Sequence, residues 1–205
     1  ISHPSVRECM KYLGHPEGLG IEVVHHADLP ARSGLGSSSS FTVGMLHALS
    51  SLHGKLTNKR ELALNAIDVE QNHIREVVGS QDQVAAAFGG LNYIHFARSE
   101  NIEVDPICLS ESRFNQLEEN LLLCFTGFSR TASEIAVHQV EKTKECKIEL
   151  NEIRAICNDA YSLLSKADWT MEELALLLDA QWHIKRSLTS KISNSHIDEI
   201  YRMAK

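Results

Sequence analysis

A loop rich in glycine and serine places the strongest constraint on how this chain folds. Residues 28–36 (DLPARSGLG) contain the chain breakers of a loop, between a β-branched stretch at 20–25 and small or apolar residues at 37–52. Gly54 then stands where the C-capping glycine of a helix belongs. The sequence therefore predicts a strand, a glycine loop and a helix in that order.

The same loop has the composition of an anion-binding site. Glycines let backbone N–H groups approach a ligand, and the first turn of a helix offers N–H donors without partners. Two common phosphate fingerprints do not fit, because no Lys follows Gly36 and Ser39 occupies the last glycine position of G-x-G-x-x-G. A serine-rich helix cap is the structural alternative. Four consecutive serines at 37–40 favour hydroxyls that bind phosphate or metal, because serine is a mediocre helix former.

Glu70 is the second candidate for a functional residue. It interrupts an apolar stripe formed by Ala63, Ile67 and Ile74, on a helix predicted over 58–78. A carboxylate on such a face needs a partner, and two kinds of partner are open. One is a structural Lys or Arg, and the other is a hard divalent cation such as Mg²⁺.

Asp82 is the third candidate. It follows a helix break at Gly79, within the segment GSQDQ, and precedes the small residues 85–87. A helix-capping aspartate is the structural alternative for this residue. The order of glycine loop, buried Glu and G-x-x-D favours a functional role for all three.

The remaining pattern predicts further helices and strands, with a domain boundary near 118–120. Predicted helices cover the stretch around Val6, Met10 and Leu13, then 83–88, 131–166, 170–188 and 195–204, and predicted strands cover 91–96, 102–109 and 121–125. Pro106 would place its strand at a sheet edge. We expect two domains, residues 1–118 and 119–205.

Composition restricts the class of protein. The 205 residues carry a formal net charge of -7, which opposes binding to nucleic acid or to an anionic membrane. The five cysteines include no C-x-x-C pair, so we expect reduced thiols in a cytoplasmic protein. No apolar run approaches the ~20 residues that span a bilayer.

The three motifs together resemble the superfamily of galactokinase, homoserine kinase, mevalonate kinase and phosphomevalonate kinase (GHMP). Its P-x-x-x-G-L-x-S-S loop matches residues 30–38, its magnesium-ligating Glu matches Glu70, and its G-x-x-D-Q segment matches residues 79–83. The segments ARSGLGSSSSFTVG, VGSQDQVAAAFGGLN and KRSLTSKISNSHIDEIY are similar to bacterial D-glycero-D-manno-heptose 7-phosphate kinases. The family's first and third motifs have no counterpart here, so we expect a central fragment of a longer enzyme.

The resemblance implies an α/β (α+β) two-layer fold, with a left-handed βαβ unit in the first domain and a ferredoxin-like second domain. It also implies an ATP-dependent sugar kinase with an alcohol group as acceptor, acting on the anomeric hydroxyl of a heptose 7-phosphate or a related sugar. Asp82 would be the catalytic base, and Ser38 with Glu70 would hold Mg²⁺. The residues expected to bind ATP are Gly34, Leu35, Gly36, Ser37, Ser38 and Ser39.

Three arginines are candidates for binding a substrate phosphate: Arg32, Arg130 and Arg186. We expect a small-molecule sugar or sugar phosphate as partner, with no nucleic acid and no membrane, and leave a homo-oligomer open. Two alternatives also stay open: a sugar- or nucleotide-binding sensor of the same fold, and another sugar kinase of the fucokinase or galactokinase type.

Overall fold

The computed structural model describes residues 1–16, 20–28, 34–97, 101–124, 126, 143 and 145–205. Within these residues the chain is a mixed α/β protein, as the sequence predicts. Its elements are α1 Pro4–Tyr12, α2 Ser37–Leu52, α3 Lys59–Asp68, a π-helical turn Val69–Ile74, α4 Gln81–Phe88, β1 Asn92–Phe96, β2 Ile102–Pro106, α5 Glu111–Glu119, α6 Lys147–Leu164, α7 Met171–Leu188 and α8 Ser195–Ala204.

The described residues divide into two compact units, Ile1–Gly90 and the part from Leu91 onward. This division by contacts does not test the domain boundary at residue 118, which stays a prediction. The core of the first unit contains Val6, Cys9, Val43, Met45, Leu46, Leu49, Leu62, Ala66 and Val69. The smaller core of the second unit contains Leu163, Leu164 and Trp169.

Several helix ends fall where local capping chemistry predicts them. The Asn58 side chain accepts a hydrogen bond from the N–H of Glu61 at 2.9 Å and so begins α3. At the start of α7, Thr170 and Glu173 form a complete capping box. The helices predicted at 37–52 and 195–204 are also confirmed.

The single sheet of the described residues belongs to the second unit. Strands β1 and β2 pair antiparallel, with Ile94 opposite Val104 and Asn92 opposite Pro106. Both strands were predicted, and Pro106 lies at the end of β2, where it interrupts no further ladder. The left-handed βαβ unit and the ferredoxin-like domain are not tested by these two strands and stay predictions.

Two predicted strands are wrong. Residues 20–25 and the described residues 121–124 lack regular structure. Leu122 is 93% exposed, in a stretch predicted to be a buried strand. A strand requires a neighbouring ladder, and in the described part of the chain β1 and β2 pair only with each other.

Two predicted helices also need correction, and one helix was not predicted. The helix predicted over 58–78 ends at Ile74 through the π-helical turn, and Arg75 follows with φ +65°. Only Lys147–Leu164 of the helix predicted over 131–166 is described as a helix, while 131–142 lie outside the described residues. Helix α5, which Ser110 caps, was not predicted. No helix among the described residues is long and apolar enough to cross a membrane.

Candidate active site

The glycine loop leads directly into the first turn of α2. Gly34 and Gly36 have φ values of +79° and +69°, in the left-handed region that favours glycine. Gly36 is the N-cap, and its carbonyl accepts the N–H of Ser40 at 2.9 Å. No side chain of the described residues caps this helix, so its first N–H groups remain donors for a ligand.

The other predicted members of the loop differ in exposure. Leu35 and Ser38 are exposed, whereas Ser39 is 5% exposed. The backbone carbonyl of Ser38 accepts the Thr42 hydroxyl at 3.3 Å. Arg32 and residues 30, 31 and 33 lie outside the described residues.

Glu70 is buried in the first unit. It is the second residue of the π-helical turn and is 1% exposed. Its Oε2 accepts hydrogen bonds from Ser39 Oγ at 2.9 Å and from Gln83 Nε2. Its Oε1 is buried and has no hydrogen-bond partner among the described residues. In that part of the chain, no Lys or Arg forms an ion pair with Glu70.

Neighbouring acids respond to the charge of Glu70. The pKa of the Cys9 thiol is raised to about 12, first by burial and then by the carboxylates of Glu70 and Glu8. The pKa of Glu76 is also raised, first by burial and then by Glu70. The backbone N–H of Glu76 donates to the Glu70 carbonyl at 3.0 Å. Glu70 therefore acts electrostatically on two neighbouring acidic groups.

A magnesium ion fits this donor set. Mg²⁺ prefers hard oxygen ligands, commonly uses one or two carboxylates, and completes its shell with phosphate and water. Glu70 Oε1 is a buried carboxylate oxygen of that kind, and no described residue supplies the hydrogen bond that a buried polar atom usually has. No group of three or more His, Cys, Asp or Glu in the described ranges could hold a metal. Phosphate oxygens would thus be needed beside Glu70.

Asp82 lies against the glycine loop. It is the second residue of α4, whose N-cap is Ser80, so the expected capping alternative is wrong. A Cβ built on Gly36 would lie 3.3 Å from Asp82 Cγ and 3.4 Å from Asp82 Oδ2. Gln81 Nε2 donates to the other carboxylate oxygen at 3.3 Å. The exposed Asp82 carboxylate is thereby held at the N-terminus of α2.

Because Ser39 bonds to Glu70 while Gly36 lies beside Asp82, the structure brings the three predicted motifs together in the first unit. A cleft of about 390 Å³ in the same unit is lined by residues of α2, α3 and α4, among them Ser40, His47 and Ala87, but by none of Gly36, Glu70 and Asp82. Its volume lies within the usual range of small-molecule pockets.

The predicted phosphate-binding arginines are not brought together by the described residues. Arg130 lies outside them. In the second unit, Arg186 donates to Asp198 at 2.8 Å, and its guanidinium lies 5.9 Å from the ring centre of Trp182. This pairing gives Arg186 a structural role within its own unit, and its contact with substrate stays a prediction.

Gln83 belongs to the site as well, although it was not among the predicted site residues. Gln83 is 0% exposed, and it hydrogen-bonds to Glu70. The signal was available, because Gln83 occupies a core-facing position of a short helix beside Val84. No local sequence pattern predicts that Gln83 bonds to Glu70.

Comparisons with known proteins agree with this geometry. The model of the GHMP kinases N terminal domain matches residues 5–90, which contain the loop, Glu70 and Asp82. A D-glycero-alpha-D-manno-heptose 7-phosphate kinase from Campylobacter jejuni is 32% identical over 182 residues, covering 87% of this chain and 53% of that protein. A galactokinase from Streptococcus suis is 23% identical, covering 92% of this chain and 46% of its own.

A solved structure supports the fold independently of the sequence motifs. The crystal structure of a D-glycero-D-manno-heptose 1-phosphate kinase from Bacteriodes thetaiotaomicron has a TM-score of 0.64 and 25% identity, and the match covers 89% of this chain and 55% of that chain. The chain thus spans about half the length of these relatives. Residues 5–90, which contain the loop and both carboxylates, are thus identified as a GHMP kinases N terminal domain.

Proposed function

We propose that this chain is part of an ATP-dependent sugar kinase. One observation carries the proposal: the uncapped first turn of α2, the unpartnered oxygen of Glu70 and the carboxylate of Asp82 lie together in one unit. Phosphoryl transfer needs donors for the phosphates, charge neutralisation and a group that orients the attacking hydroxyl. The first turn of α2 would supply the donors, a cation at Glu70 would neutralise charge, and Asp82 would orient the hydroxyl.

In this proposal the backbone of residues 34–39 holds the ATP phosphates, and Ser38 with Glu70 holds Mg²⁺. The ion would neutralise charge on the phosphate oxygens. Asp82 accepts the proton of the sugar hydroxyl while that oxygen bonds to the γ-phosphorus. The bond from the γ-phosphorus to the bridging oxygen breaks, and ADP leaves.

The acceptor we propose is the anomeric hydroxyl of a heptose 7-phosphate or a related phosphosugar. The relative from Campylobacter jejuni is named for heptose 7-phosphate, and it aligns with 87% of this chain. A sugar that already carries phosphate requires a cationic contact, for which Arg32, Arg130 and Arg186 are the candidates from sequence.

The test is mass spectrometry of products formed from ATP, Mg²⁺ and a panel of free and phosphorylated sugars. It should use the longer polypeptide from which we expect this chain to come, with ATP binding measured on the 205-residue chain in parallel. We expect one added phosphoryl group on a heptose 7-phosphate and none on the unphosphorylated heptose. Modification of unphosphorylated galactose or fucose alone would reject the acceptor, and ATP binding without any product would support the sensor alternative.

A further inference from the structure

Gln83 is a buried polar residue without a role in the proposed chemistry. It belongs to the first turn of α4, one residue after Asp82, and its side chain is fully buried. An amide buried in a small core is unfavourable unless its polar atoms are hydrogen-bonded. A Leu or Met of similar size would fill the same space without that requirement. Packing alone therefore gives no reason for glutamine here.

The contacts of Gln83 give a reason. Its Nε2 donates to Glu70 Oε2, and the hydroxyl of Ser39 donates to the same oxygen at 2.9 Å. A carboxylate only accepts hydrogen bonds, so Glu70 fixes the amide with its N–H₂ group toward the acid. Two donors from two different helices thus meet at one oxygen of Glu70.

The other carboxylate oxygen, Oε1, accepts no hydrogen bond from the described residues and is buried. The two carboxylate oxygens are therefore unequal: Oε2 is occupied by Ser39 and Gln83, and Oε1 is available. Groups behind a metal ligand that fix its orientation in this way commonly control metal affinity.

We propose that Gln83 is a positioning residue that, with Ser39, fixes the Glu70 carboxylate so that Oε1 serves a divalent cation. The inference rests on the proposed function. Because Gln83 directly follows Asp82, the same turn of α4 also places the carboxylate of Asp82 beside Gly36. One helical turn would then align the metal ligand and the base.

The test is binding of Mn²⁺, a paramagnetic substitute for Mg²⁺, to the 205-residue chain with ATP, followed by electron paramagnetic resonance. Gln83→Met keeps the apolar volume and removes the donor. We expect its apparent Mn²⁺ affinity to fall by about 10- to 100-fold, the usual effect of losing a group that orients a ligand. In a Glu70→Gln background, Gln83→Met should add nothing, because its effect passes through the Glu70 carboxylate.

Gln71→Met is the matched control. Gln71 is a partly buried glutamine directly after Glu70, whose side chain donates to the Val78 carbonyl at 3.1 Å and to Ser80 Oγ at 3.2 Å rather than to the Glu70 carboxylate. It should lower stability and leave Mn²⁺ affinity unchanged. If Gln83→Met does not fold, Ser39→Ala removes the second donor to the same oxygen and should also weaken Mn²⁺ binding.

The outcomes separate the two proposals. The role of Gln83 would be overturned by any of three results. Gln83→Met could leave the Mn²⁺ affinity unchanged, Gln71→Met could lower the Mn²⁺ affinity equally, or Gln83→Met could lower it further in the Glu70→Gln background. Should Gln83→Met not fold, an unchanged Mn²⁺ affinity in Ser39→Ala would overturn it as well. Failure of the parent chain to bind Mn²⁺ with ATP would instead overturn the proposed function.

Discussion

At the scale of single residues, the site depends on polar side chains buried more deeply than their chemistry ordinarily permits. Glu70 is 1% exposed and Gln83 is 0% exposed. Their mutual hydrogen bond accounts for one oxygen and one amide group, yet each side chain keeps one buried oxygen that has no partner in the described part of the chain. Buried polar atoms without partners are rare and call for an explanation, which a bound cation supplies for Glu70.

Asp82 is predicted to act on turnover far more than on stability. Asp82→Asn preserves size and removes one negative charge from the first turn of α4, which costs about 0.3–1 kcal/mol through the helix dipole. If Asp82 accepts or orients the hydroxyl proton, turnover should fall by about two to four orders of magnitude while ATP binding persists. Steady-state kinetics of the kinase and calorimetric titration with ATP measure the two effects.

Glu111→Gln is the control for the helix dipole. Glu111 is an exposed acid in the first turn of α5, so its replacement removes the same kind of charge from another helix. We expect a similar small change in stability with normal turnover. Turnover near the parent value in Asp82→Asn would show that the base lies elsewhere.

The sequence singled out some residues of the candidate site but did not predict all of their contacts. Glu70 was singled out because it interrupts an apolar stripe, and Asp82 because it follows the predicted helix break at Gly79. The partner of Ser39 was missed: the sequence favoured phosphate or metal as the partner of the serine hydroxyls, whereas in the structure the Ser39 hydroxyl donates to Glu70. That contact joins residues 31 positions apart, and such pairings follow from packing that no local pattern encodes.

At the scale of elements, the backbone at the start of α2 controls the predicted phosphate site. Gly36→Ala should abolish or strongly weaken ATP binding, because its Cβ would enter the space beside Asp82, 3.3 Å from Cγ. The left-handed backbone at φ +69° adds strain, which costs about 1–2 kcal/mol for a residue with a side chain. Stability therefore has to be measured by chemical denaturation beside the calorimetric titration.

Gly54→Ala separates the two effects. Gly54 has φ +68°, nearly the same backbone strain, and a Cβ there would meet nothing within 4 Å. We expect the two variants to lose similar stability while only Gly36→Ala loses ATP affinity. An equal loss of ATP affinity in both would attribute the effect to stability and remove the loop from the proposed site.

Elements defined by local chemistry were predicted well, and elements defined by distant partners were not. Asn58 and Thr170 begin their helices through side-chain caps that the sequence displays within four residues. The strand predicted at 20–25 depends on a ladder partner, and β-branched composition cannot supply one. The π-helical turn that carries Glu70 has no sequence signature at all, although such turns often occur at functional sites.

At the scale of the whole molecule, each compact unit has its own core. The reactivity of Cys9 can be used to follow unfolding of the first unit. Cys9 is 0% exposed within that core, whereas Cys108, Cys124 and Cys157 are exposed. We predict that a thiol reagent at mildly alkaline pH labels the three exposed cysteines in the folded protein and labels Cys9 only on unfolding of the first unit. Mass spectrometry of peptides after timed labelling measures this order.

The raised pKa of Cys9 also predicts how stability depends on pH. Burial, followed by the Glu70 and Glu8 carboxylates, raises this pKa from 9.0 to about 12, so the folded state retains the thiol proton after the unfolded state has lost it. The contribution is therefore fully present below pH 9 and is lost as pH rises toward about 12. Denaturation of the parent and of Cys9→Ala across this range isolates the effect, because other titrating groups are common to both. Parallel stability profiles would contradict the prediction, and a steeper decline in the parent would support it.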